Sequence, residues 1–196
     1  MSNGEAIPRT IYLRAVVDTD TLPPGPEAEQ IHGAPIAVDF ANNPLILTST
    51  APGPDGAPGA SDAAAGFAAI SATAGDTLRF YAITGSNNFE DAVLIKDIRV
   101  HGDGGGIAAL APVCLQAQAL LPGAGADPLS IDTAEQDFRF WQGTVADHGI
   151  QDCSLVLALY RRDEAGRPRF AGLYRWDLQL AVSEMSNPEN PEEQTS

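Results

Sequence analysis

Turn-forming residues recur about every ten positions along most of this chain, a spacing that leaves room for short strands and little for helices. Between the turns, apolar residues alternate. Residues 10–17 (TIYLRAVV) place Ile11, Leu13, Ala15 and Val17 on one face and Tyr12, Arg14 and Val16 on the other. Residues 153–160 (CSLVLALY) are apolar on both faces, as a central strand requires. Residues 172–182 set Tyr174, Trp176, Leu178 and Leu180 against Arg175, Asp177 and Gln179, so Tyr174 and Trp176 read as core rather than as a ligand platform.

The middle of the chain is a strand, a connection and a strand. Ala74, Gly75 and Asp76 form the turn that feeds residues 78–83, and the polar segment 84–91 leads into residues 92–100. Lys96 and Asp97 put charge on both faces of that second run, so one face must turn outward there or a bulge must change the register. Residues 34–40, 45–48, 66–72 and 138–145 supply further short strands, and 161–168 forms a charged hairpin loop centred on Gly166. In residues 107–121 a helix competes with a strand; Pro112 argues against a continuous helix and favours an irregular strand. Residues 51–65 and 122–128 are Gly/Pro loops. The expected organisation is a flexible stretch 1–9, one domain over 10–182, and a disordered acidic tail over 183–196. Seven to nine strands on this plan predict an all-β fold, an antiparallel β-sandwich, with a closed barrel as the alternative.

Charge narrows the partners. Asp and Glu number 26 against 11 Lys and Arg, a net charge of −15, and Lys96 is the only lysine. Nucleic acid and anionic membrane surfaces both demand clustered cations, so neither is an expected partner. The first ten residues have no signal-peptide pattern and no run approaches the ~20 apolar residues of a spanning helix. The expected compartment is the cytoplasm. Cys114 and Cys153 form no CxxC pair and are expected as buried thiols in a reducing compartment, or as a disulfide if the protein is exported.

Three stretches together resemble the AidA/PixA family of bacterial inclusion body proteins. They are RAVVDTDTL (14–22), AGDTLRFYAITGSNNFEDAVLIKDI (74–98) and LALYRRDEAGRPRFAGLYRWDLQLAV (157–182). The resemblance implies a β-sandwich of immunoglobulin-like character. It also implies a protein tied to intracellular inclusions or to quorum-regulated expression in host-associated bacteria. No catalytic residue set comes with it. The loop 51–65 and the acidic tail depart from the family pattern, so inclusion formation does not follow automatically.

Candidate site residues lie mostly in the connection. Ser86, Asn87, Asn88, Glu90 and Asp91, beside Phe89, could bind a glycan; the same residues also suit a turn, because Asn and Gly tolerate left-handed backbone. Asp18, Asp20 and Asp103 could share a calcium ion with Glu90, Asp91 and Asp97, yet no DxDxDG-type loop is present. His32, His101 and His148 are isolated. Gly102 to Gly106 lacks the lysine of a phosphate loop, and no GxSxG elbow exists. No other cofactor is expected. The sequence therefore predicts a non-enzymatic, self-associating protein, a homo-oligomer, with a lectin-like, calcium-assisted module as the alternative and a hydrolase least favoured.

Overall fold

The computed structural model describes residues 7–25, 33–52, 58–60, 66–102, 106–123 and 130–184. Eleven strands run in order: β1 (Thr10–Val17), β2 (Ile36–Ala37), β3 (Leu45–Pro52), β4 (Pro58–Ala60), β5 (Phe67–Ser71), β6 (Thr77–Thr84), β7 (Ala92–His101), β8 (Ile107–Pro122), β9 (Ile131–Val145), β10 (Gly149–Arg162) and β11 (Pro168–Ser183). One 3-10 turn, Thr19–Thr21, follows β1. A six-stranded sheet has the order β4-β3-β1-β6-β9-β8; a five-stranded sheet has β2-β11-β10-β7, with β5 also on β11.

The two sheets bury one core between them. Ile11, Leu13, Ala15 and Val17 of β1 and Leu78 of β6 face Cys153, Leu155, Leu157 and Leu159 of β10 and Tyr174, Trp176, Leu178 and Leu180 of β11. Trp176 is fully buried, and its indole N–H donates to the Asn43 carbonyl at 3.0 Å, which satisfies the one polar group the ring brings inside. Tyr174 follows the same logic, donating its hydroxyl to the Pro23 carbonyl at 2.8 Å. The second face of β10 is apolar as well: Val156 and Ala158 pack with Leu173, flanked by Tyr160 and Phe170.

Three expectations need correction. The sheets are mixed, not purely antiparallel: β1 pairs parallel with β6, and β11 pairs parallel with both β2 and β5. Parallel neighbours are reached only through long connections, and the chain between β1 and β6 makes one by visiting both sheets. The strand count among the described residues exceeds nine: β2 and β5 fall within the short strands expected at 34–40 and 66–72, and β4 adds one in a segment read as loop. The Gly/Pro segment 51–65 is not wholly a loop, since β3 runs to Pro52 and Pro58–Ala60 pairs with it; residues 53–57 and 61–65, like the segments 1–6 and 185–196, lie outside the described residues.

Other expectations hold. A register shift in the β10–β7 ladder falls where Val156 faces Asp97 and Leu157 faces Ile95, so Lys96 is the bulged residue. Segment 107–121 is an irregular strand: its register shifts between Ala108 and Ala111, where Ala109 takes φ 54° and Leu110 packs against the core. Pro112 is tolerated because β8 is an edge strand, with a neighbour on one side only among the described residues. Gly166 (φ 74°) closes the β10–β11 hairpin, its N–H donating to the Asp163 carbonyl at 2.8 Å.

Strand β9 begins seven residues earlier than the sequence suggests. Among the described residues it touches β6 only from Trp141 to Thr144, and residues 131–140 have β8 as their sole ladder partner and form a two-stranded ribbon with it. Residues 131–139 are all exposed.

Candidate functional site

The connection between β6 and β7 crosses from one sheet to the other and is held by its own side chains. Thr84 N–H donates to Asn88 Oδ1 at 2.9 Å, and Asn88 N–H donates to Thr84 Oγ1 at the same distance. Asn88 Oδ1 also accepts from Val93 N–H at 3.3 Å, and Thr84 Oγ1 donates to the Asp91 carbonyl at 3.0 Å. Ser86 Oγ lies 3.0 Å from Thr84 Oγ1 and accepts from Glu90 N–H at 3.2 Å. Asn87 and Asn88 both sit at left-handed φ, 57° and 60°. Ser86 Oγ and Asn88 Oδ1 are thus used within the turn, as the turn reading of the segment expects.

Around this turn the structure gathers several predicted residues. An open cleft of about 490 Å³ is lined by Val16, Asp18, Thr19, Asp20, Pro44, Ile46, Gly85, Ser86, Glu90 and Asp91. The carboxylates do not converge freely. Asp18 Oδ1 accepts from Asp20 N–H at 3.1 Å, capping the 3-10 turn. Asp91 pairs with Arg161 at 3.4 Å, and Arg161 also donates to the Thr19 carbonyl at 2.9 Å. Arg162 donates to the Phe89 carbonyl at 3.1 and 3.3 Å, leaving the Phe89 ring exposed. Two arginines from the β10–β11 hairpin therefore clamp the connection. No group of three or more His, Cys, Asp or Glu side chains is placed to hold a metal ion among the described residues. Asp97 pairs instead with Arg99 at 2.6 Å, and Asp103 and His32 lie outside the described residues.

Two polar features escaped the sequence. Asp76, read only as a turn residue, is a buried carboxylate, 1% exposed. It accepts from Thr73 N–H (3.0 Å), Thr73 Oγ1 (3.2 Å), Arg9 N–H (2.7 Å) and the Arg9 guanidinium (3.1 and 3.3 Å). Burial, the largest single influence, opposes its charge; the Thr73 and Arg9 donors together outweigh burial and hold the carboxyl below its ordinary range. No spacing rule flags this residue, because its partners lie 3 and 67 positions away.

The second feature is a row across the outer face of the five-stranded sheet. His101 Nε2 lies 2.6 Å from Ser154 Oγ, which donates to Asp177 Oδ1 at 2.6 Å. These are the residue types of a hydrolytic triad in the wrong order. The serine proton is committed to the carboxylate, and the imidazole has no carboxylate on its other nitrogen among the described residues. Asp177 also pairs with Arg175 at 3.2 Å. The row ties β7, β10 and β11 together.

The cysteines divide. Both are free; Cys153 is buried as expected, whereas Cys114 is exposed on the ribbon, correcting the expectation of two buried thiols. Burial, reinforced by the Asp152 charge, pushes the Cys153 thiol up to about 11.

The ribbon is the most unusual surface. Antiparallel pairing places Val113 opposite Phe140, Leu115 opposite Phe138, Ala117 opposite Gln136, Ala119 opposite Ala134 and Leu121 opposite Asp132, so these ten residues share one face. That face is apolar apart from Gln136 and Asp132. Leu115, Leu121 and Phe138 on it are exposed, as are Leu120 and Ile131 on the other.

Comparison with known proteins adds a family. No curated protein matches. A solved inclusion body protein, PixA, from Burkholderia cenocepacia is similar in structure, with a TM-score of 0.67 and 20% sequence identity over 93% of this chain and 100% of that one. The likeness is one of fold. The sequence model of the PixA inclusion body protein family matches residues 54–182, most of the chain and two of the three stretches that carried the resemblance. The chain belongs to the PixA family of inclusion body proteins.

Proposed function

We propose that this protein is a non-enzymatic, self-associating β-sheet protein of the bacterial cytoplasm, serving inclusion, storage or host interaction rather than turnover of a substrate. The observation that carries this reading is the β8–β9 ribbon, on whose apolar face Leu115, Leu121 and Phe138 are exposed while Val113, Ala117 and Phe140 are half-buried and Ala119 is buried. A contiguous apolar surface of this kind is stable in a soluble chain when something covers it. Membership in a family of inclusion body proteins supports a second copy as that cover. No helix among the described residues is long and apolar enough to cross a membrane.

Supporting the non-enzymatic half is the fate of the chemistry-bearing residues. Ser86 and Asn88 are used inside a turn, Asp91 is paired with Arg161, and Ser154 is bonded to Asp177. Size exclusion with light scattering, across a hundredfold range of concentration, tests self-association. A mass that rises above that of one chain is expected; a strict monomer throughout would overturn the reading.

A further inference from the structure

We propose that a second copy of this chain adds to the free edge of β8, residues 113–121 of the two chains pairing antiparallel about a two-fold axis. The two six-stranded sheets then join into one. The inference rests on the self-association reading and names its surface.

Four observations carry it. First, β8 is the last strand of its sheet, so its outer backbone N–H and C=O groups have no ladder partner among the described residues. Second, none of its sixteen residues, IAALAPVCLQAQALLP, is charged, in a chain of net charge −15. Third, the other free edges among the described residues are short or charged. β2, β4 and β5 have two, three and five residues, the outer side of β9 over 131–140 carries Asp132, Glu135, Asp137 and Arg139, and β7 carries Lys96, Asp97 and Arg99 with a bulge at Lys96. Short length, charge and bulges are the devices that stop strands from pairing with foreign edges, and β8 has none of the three over 113–121. Fourth, Pro112 and Pro122, which lack the N–H a ladder needs, bracket a window of nine residues.

Charge selects the occupant. Antiparallel self-pairing sets each side chain against one from the same strand, and like charges directly opposite are destabilising. An uncharged strand avoids that cost altogether. A two-fold contact is also self-complementary and closed, so it ends at two chains. With Pro112 and Pro122 facing outward, residues 114, 116, 118 and 120 of each chain supply about eight main-chain hydrogen bonds, within the range an ordinary stable interface carries.

The register that uses the whole window places Ala117 on the axis. Leu115 then meets Ala119 of the second copy and Val113 meets Leu121, extending the apolar face across the junction. Gln116 meets Gln118, whose amides can bond to each other.

Light scattering on the full chain and two variants tests the edge. Ala117→Glu sets two carboxylates against each other on the axis, whereas Ala134→Glu places the same charge on the same ribbon face but on β9, away from the edge. The expected result is a dimer for the unaltered chain and for Ala134→Glu, with dissociation at least tenfold weaker, or a monomer, for Ala117→Glu. As a check that does not depend on loss, Ala117→Cys in a Cys114→Ser background should cross-link two chains under mild oxidant, because opposed Cα atoms lie ~4.5–5.5 Å apart. A dimer that survives Ala117→Glu and fails to cross-link overturns the edge and leaves self-association standing. An unaltered chain that is monomeric overturns both.

Discussion

Strands β7 and β8 both end a sheet, yet they are built in opposite ways. β7 (AVLIKDIRVH) carries Lys96, Asp97 and Arg99, is kinked by the bulge at Lys96, and pairs Asp97 with Arg99 across 2.6 Å. β8 is longer, uncharged, and over 113–121 keeps an unbroken register with β9. One edge resists pairing and the other invites it. Under the self-association proposed above, the difference assigns the contact to the sheet that owns the ribbon.

The comparison can be broken or sharpened in several ways, beginning with the largest effect. Asp76→Ala removes the carboxylate that accepts from Thr73 and Arg9 and strands those donors. It should cost about 3 kcal/mol of stability by denaturant unfolding. Measured mass, once folded, should not change, since Asp76 meets β9 at Val145, at the end of the β8–β9 pair away from residues 113–121. A loss of association at equal foldedness would mean that edge and core are not separable.

The same carboxyl gives a pH dependence. Its folded pKa lies below its unfolded value, so its contribution is fully present above the unfolded carboxylate range, near ~3.9, and is lost as pH falls through the folded value. Unfolding midpoints of the unaltered chain should therefore drop below about pH 4 more steeply than those of Asp76→Asn.

Asn88→Ala tests the connection that delivers the chain to β7. It leaves Thr84 N–H without its partner and removes a residue suited to φ 60°, for a cost of about 2 kcal/mol. If stability is unchanged, the connection is not the fixed turn described above.

Neutralising the resisting edge is subtler. Replacing Lys96, Asp97 and Arg99 together by Thr should make β7 behave more like β8, producing species larger than a dimer at high concentration in light scattering. A distribution identical to the parent would show that charge is not what protects this edge.

Salt should have the smallest effect. Two chains of −15 repel as wholes, so raising ionic strength from ~0.01 M to ~0.15 M, which shortens screening from ~30 to ~8 Å, should tighten association severalfold. Weakening with salt would point to a contact made by ion pairs rather than by the neutral edge.

Much of the fold was legible because alternation and turns are local. Ile11, Leu13, Ala15 and Val17 declared the inner face of β1, Trp176 declared the core of β11, and the charges at Lys96 and Asp97 called for an outward face or a bulge, of which the ladder has the bulge. What could not be read depends on distant partners. Nothing in TIYLRAVV says that it lies parallel to residues 77–84, because either direction buries the same side chains. The start of β9 was missed because its residues 131–137 are solvated on both faces, which removes the pressure for alternation. At the site, abundance of acids hid the one carboxylate that is buried among the described residues. Asp18, Asp20, Glu90 and Asp91 do line one cleft, but Asp76 looked like an ordinary turn residue until Arg9 was brought beside it.

Hydrogen exchange of backbone amides, at high and low protein concentration, compares the two edges most directly. Residues 113–121 of β8 should gain protection at high concentration, in alternate amides as the second ladder forms, while the outer amides of β7 exchange at the same rate in both. Equal exchange at β8 at all concentrations, in a protein that light scattering shows to be associated, would contradict the account.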